Sequence, residues 1–149
     1  MNISYDEITG AFLGKISEFE FLKIPEQNRT EIIDNYMKRA VVLFKSICKY
    51  DLTLHDDVLR QFTDDFDEAD VYEIVDIISE GMLVQWMKPY LYKQELLEST
   101  LNTADFSTYS PAELLLRVGN AYEKAQRDYI QMVREYSYNH GNLSELHLW

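Results

Sequence analysis

Apolar side chains recur every three or four positions through most of this chain, the spacing that gathers them on one face of a helix. The pattern is clearest between Pro25 and Tyr50. There Ile33, Tyr36, Met37, Ala40, Val41, Phe44, Ile47 and Cys48 share a face, while Glu31, Asp34, Lys38, Lys45 and Lys49 take much of the other. A long amphipathic helix is expected, with Pro25 as its first residue, where a missing N–H costs nothing. Before it, "SYDEITGAFLGKI" predicts a short helix: Ser4 and Glu7 form a capping box, and Ile8, Phe12 and Ile16 align. Gly10 and Gly14 weaken that helix but would let another backbone come close. A third helix starts near Glu68 or Asp70, with Val71, Ile74, Val75, Ile78, Met82 and Trp86 on its face. Pro89 should kink it before helical character resumes over 90–98. The last helix opens with "SPAE": Ser110 caps, Pro111 takes the first position and Glu113 closes the box. Its stripe runs from Leu114 through Val118, Ala125 and Val133 to Tyr136, and Asn139 and Gly141 stop it. Gly81 and Gly119 interrupt strong helical patterns at about 1 kcal/mol each against Ala, for which close helix crossing is the simplest compensation.

The period fails over "DLTLHDDVLRQFTDDFDEAD", residues 51–70, which predicts a long acidic loop with short extended pieces. It fails again after Gly141. The fold class is therefore all-α: a small bundle of three to four helices with a long acidic loop and an extended C-terminal tail. Residues 1–141 form the helical domain, and 142–149 the tail. A chain of 149 residues suits one domain around one core.

Charge sharpens this picture. The chain carries a net charge of −12. Residues 51–80 hold eleven acids against a single base, Arg60, so most of that excess lies in one block. Such a balance argues against sequence-independent binding of nucleic acid, which needs Lys and Arg against phosphates. No apolar run is long enough to span a membrane.

Candidate chemistry is sparse. "DDFDEAD" (64–70) offers calcium-like carboxylates, but neither register places Gly at the sixth position of an EF-hand loop. His55, His140 and His147 lack the paired spacing of a zinc site. Cys48, the one cysteine, sits on an apolar stripe and reads as a small core residue. The five glycines are scattered, with no phosphate loop. No catalytic residue, metal ligand or cofactor site is expected. Tyr122, Tyr129 and Tyr136 recur every seven residues; core packing is the first reading and inter-subunit contact the second.

A short amphipathic entry, a long helix ending near "CKYDL", an irregular loop and a helix reading "EIVDIISEGMLVQWMKPYLYKQELLES" follow one another in this order. That order resembles the small helical head-to-tail adaptors in the necks of tailed bacteriophages. The "LY…QE" segment, here Leu91, Tyr92, Gln94 and Glu95, and the closing stretch from "SPAE" to "NHGNL" carry the resemblance. It implies a homo-oligomeric ring, typically a dodecamer, docked on the portal protein in the virion neck after assembly in the host cytoplasm. Such a ring extends the DNA channel, lets the duplex pass without specific binding, and presents a platform to the next neck or tail protein. On this reading Leu143, Leu146, Leu148 and Trp149 of the tail anchor on the portal. Asp64, Asp65, Asp67, Glu68 and Asp70 are then the channel-facing candidates, repelling phosphate. The competing expectation is a small acidic helical phage protein that acts as a regulator by binding a host factor.

Overall fold

The computed structural model describes residues 1–17, 24, 26–92 and 111–140. Four helices make up most of it: α1 (Tyr5–Ile16), α2 (Arg29–Phe44), α3 (Glu68–Tyr92) and α4 (Pro111–His140). The protein is the small all-α bundle that the periodicity predicts. Its centre is α3, against which α1, α2 and α4 all pack. The predicted stripe on α3 covers only one side. Ile77, Leu83, Val84 and Met87 are also buried, so the helix is apolar on several faces and suits the middle of a bundle. Trp86 is fully buried there, edge-on to Phe12 of α1 at 6.1 Å.

Gly81 marks the tightest crossing. A Cβ added there would lie 2.8 Å from Tyr129 Cε1 on α4 and 2.9 Å from Ala40 Cβ on α2. The Tyr129 hydroxyl donates to the Ala40 carbonyl at 2.6 Å, which fixes the two flanking helices across this point. The other glycines differ. Among the described residues, a Cβ at Gly119 would meet only Leu91 Cδ2, at 3.9 Å, and one at Gly10 or Gly14 would meet nothing within 4 Å. Among the described residues, none of these three shows the close backbone approach expected there.

The segment expected as a loop with extended pieces holds two short strands, β2 (His55–Asp56) and β3 (Gln61–Phe62), and a third strand precedes α1, β1 (Ile3–Ser4). They form an antiparallel sheet in the order β1-β3-β2, with Ile3 and His55 both opposite Phe62. Ile3 and Phe62 are buried, so the sheet closes one end of the bundle. Tyr5, also buried, meets Phe62 edge-on at 5.2 Å.

Helix ends follow local chemistry. Ser4 Oγ accepts from Asp6 N–H at 3.2 Å and caps α1. α2 begins at Arg29 rather than Pro25, which lies outside the described residues. The preceding Asn28 has φ 60°, a left-handed conformation that cannot extend a right-handed helix backwards. α2 ends at Phe44, short of the expected Tyr50, where the Ile47 and Cys48 N–H groups both turn back onto the Phe44 carbonyl. α3 continues through Pro89 to Tyr92, and residues 93–98 lie outside the described residues. No helix among the described residues is long and apolar enough to cross a membrane.

Candidate functional site

Carboxylates crowded on one segment need donors, and most of the acidic block finds them inside the fold. Asp51 accepts from the Thr53 N–H at 2.9 Å and from its hydroxyl, which holds the Asp51 carboxyl below the usual range. The Asp51 N–H donates to Asp64 at 2.7 Å, and Asp64 also accepts from Asp65 N–H. Asp56 accepts from the Val58 and Leu59 N–H groups and closes the hairpin tip between β2 and β3. Asp57 accepts from the Tyr5 hydroxyl at 3.0 Å, a bond that, ahead of the nearby Lys38 and His55, depresses its carboxyl. Asp70 accepts from the Tyr50 hydroxyl at 2.6 Å, and Glu73 meets His140 Nε2 at 2.9 Å.

The five channel-facing candidates therefore divide. Asp70, with 17% of its side chain exposed, is held against Tyr50 and Lys49. Asp64 is bound to backbone N–H groups. Asp65 is almost wholly exposed and meets the Met1 ammonium at 3.0 Å. Asp67 and Glu68 are exposed, with no side-chain partner among the described residues. Of the five, Asp65, Asp67 and Glu68 face outward. Replacing Asp64 by Ala is expected to cost about 0.5–1.5 kcal/mol, because the Asp51 N–H loses its acceptor. Asp67→Ala should stay within about 0.5 kcal/mol of wild type. Urea melts of the two variants check this difference.

Two basic residues tie separate elements together. Arg60, with φ 53° in the left-handed region, turns the chain into β3. Its guanidinium reaches Asp34 on α2 (2.8 and 3.1 Å) and Asp6 on α1 (2.6 Å), and these bonds raise its pKa further. Lys15, on α1, donates to Asp76 at 2.8 Å and Glu80 at 2.7 Å on α3. Burial pushes the Lys15 ammonium down, but these two bonds outweigh it and hold the pKa above the ordinary lysine value. Lys15 and Glu80 also line a cleft of about 500 Å³, together with Leu83 and with Ala121, Lys124, Ala125 and Asp128 of α4.

A second concavity lies along α2. Between α2 and the sheet lies a groove of about 330 Å³ lined by Tyr5, Met37, Val41, Val42, Leu52 and Phe62, with Lys38, Lys45, Thr53 and His55 around them. Met37, Val41, Leu52 and Phe62 are buried and form its floor, while Val42 stands at the opening, 60% exposed. This groove is absent from the sequence reading. Its one linear signal is the run Val41-Val42-Leu43-Phe44, more apolar residues in succession than a single helical face needs.

Tyr129 and Tyr136 lie inside the chain's own core. Tyr136 packs edge-on to Phe44 at 5.0 Å, and its oxygen accepts from the Lys49 N–H at 3.1 Å. Both are thereby removed from the surface that inter-subunit contact requires, and Tyr122 is half-buried. Cys48 is partly buried beside the Tyr136 hydroxyl at 3.7 Å, and burial pushes its thiol up, away from nucleophile behaviour. Among the described residues no group of three His, Cys, Asp or Glu side chains converges to hold a metal. Leu143, Leu146, Leu148 and Trp149 lie outside the described residues. No known protein family, curated protein or solved structure matches this chain.

Proposed function

We propose that this chain is a structural subunit of the neck of a tailed bacteriophage, a helical adaptor that assembles as a ring on the portal and links head to tail. The supporting observation is α3. The helix that leads into the "LY…QE" segment of the resemblance is also the central helix on which the other three pack. Such a subunit needs a rigid body rather than a reactive centre, and the described carboxylates serve mainly as caps and ion pairs. Asp65, Asp67 and Glu68, which face outward, would line the channel and repel phosphate, so that the duplex slides without specific binding. Residues 142–149 would hold the ring on the portal through Leu143, Leu146, Leu148 and Trp149, since large apolar side chains in fitted pockets dominate such contacts.

The test mixes the purified chain with portal rings from the same virion and follows the product by mass photometry and electron-microscopic class averages. A ring of symmetry-related subunits on the portal is expected. Deleting residues 142–149 should abolish that decoration while leaving the melting temperature unchanged. If the chain stays off the portal at micromolar concentration, the neck assignment is wrong. If the deletion variant still decorates, the tail is not the anchor.

A further inference from the structure

We infer that the groove between α2 and the sheet is a docking site for a short segment of another protein, one that carries aliphatic or aromatic side chains beside carboxylates. The inference rests on the groove's own chemistry and does not depend on the neck assignment. Its floor offers hydrocarbon: Val41, Leu52 and Phe62 lie beneath an opening flanked by the exposed Val42. A volume of about 330 Å³ lies at the small end of ligand-sized clefts, so it suits two or three side chains rather than a whole helix.

The rim selects the charge. Lys38, Lys45 and His55 surround the floor on a chain whose net charge is −12. The carboxylate that balances part of this rim, Asp57, lies within reach of Lys38 at 3.6 Å and His55 at 3.2 Å and is bonded to the Tyr5 hydroxyl. Lys45 has no side-chain partner among the described residues, and it lines the groove four positions after Val41, its N–H bonded to the Val41 carbonyl at 2.8 Å. A basic segment would bring a like charge to Lys45. An acidic one would neutralise it in a site where apolar contact has already displaced water, which strengthens the pairing. A nucleic acid would meet only two lysines and a histidine, balanced in part by Asp57, which is too little positive charge to hold phosphates on a chain of net charge −12.

The probe is a fluorescein-labelled decapeptide in which Leu alternates with Glu, added to the full-length chain at low salt and followed by anisotropy. Two controls replace every Glu by Lys or every Leu by Ser. Saturable binding of the Leu–Glu peptide is expected, weakened on the order of 10-fold with Lys in place of Glu and lost with Ser in place of Leu. Val42→Glu and Lys45→Glu should each weaken it by about 10-fold. Both change exposed side chains, Val42 on α2 and Lys45 just past its end, so circular dichroism melts of the variants should stay close to wild type. Equal affinity for the Glu and Lys peptides would overturn the charge assignment, and undiminished binding by both variants would place the site elsewhere. Self-association that excludes the peptide and is abolished by Val42→Glu would assign the groove to a second copy of this chain instead.

Discussion

Gly81→Ala will unfold at a lower urea concentration than wild type, and Gly119→Ala at a higher one. The two glycines look alike in sequence, each inside a long helix where Ala is better by about 1 kcal/mol. Their surroundings decide the sign. At Gly81 the new methyl would sit 2.8 Å from the Tyr129 ring and 2.9 Å from Ala40 Cβ. Neither neighbour yields easily. Tyr129 is anchored by its hydroxyl to the Ala40 carbonyl at 2.6 Å, and Ala40 has no flexible end to move. α2 or α4 must shift instead, and overpacking of this kind costs about 1–3 kcal/mol, which outweighs the propensity gain. At Gly119 the methyl meets ordinary van der Waals contact at 3.9 Å, so the gain of about 0.5–1 kcal/mol survives. Urea midpoints at unchanged slope measure both. Stabilisation by both substitutions would mean that the three-helix crossing is looser than these distances require.

The second large effect is alkaline unfolding. Tyr5, Tyr129 and Tyr136 are buried, and burial comes first among the causes that push their phenols up, Tyr129 to about 12. In the unfolded chain a phenol titrates near its ordinary value of about 10. Below that pH both states keep the proton, and the contribution to stability is fully present. Above it the unfolded chain releases protons that the folded chain retains, so stability falls as pH rises through the folded values. For Tyr129 alone the gap is worth roughly 2–3 kcal/mol, and the other two add to it in the same direction. Stability from urea melts should therefore begin to fall above about pH 8.5, where the unfolded chain ionises Cys48 first, and drop steeply past about pH 10. Phenolate absorbance of these tyrosines should appear together with loss of the helical circular dichroism signal. Phenolate that forms while the helices persist would show that the three hydroxyls reach water in the native state.

Much of the bundle is legible in the sequence because its helices are long. The Ile33–Phe44 stripe identifies α2, and the Pro111–Glu113 signal marks the start of α4 at the observed residue. The sheet is not legible. Its strands have two residues each, too few for alternation to register, and Ile3 pairs with Phe62 across almost the whole first half of the chain. The acidic block is visible as charge but not as structure, because its donors come from afar: Tyr5 from α1, Tyr50 from beyond α2, Lys15 from the far end of α1. The groove escapes for the same reason. Its walls are Tyr5 and residues from 37–45 and 52–62, and only the fold lays them side by side.

The central position of α3 also bears on how the molecule is made. A ribosome delivers α1 and α2 first, but their buried faces are complementary mainly to a helix that begins at Glu68, and they touch each other only lightly. Until α3 has left the exit tunnel, the Phe12 and Met37 faces have no core to enter, and short helices without tertiary support are marginal in water. The first half of the chain thus waits, open, for the second. Trp86 packing against Phe12 then joins α1 to a residue near the end of α3, which favours closure of the bundle as one cooperative unit over growth helix by helix.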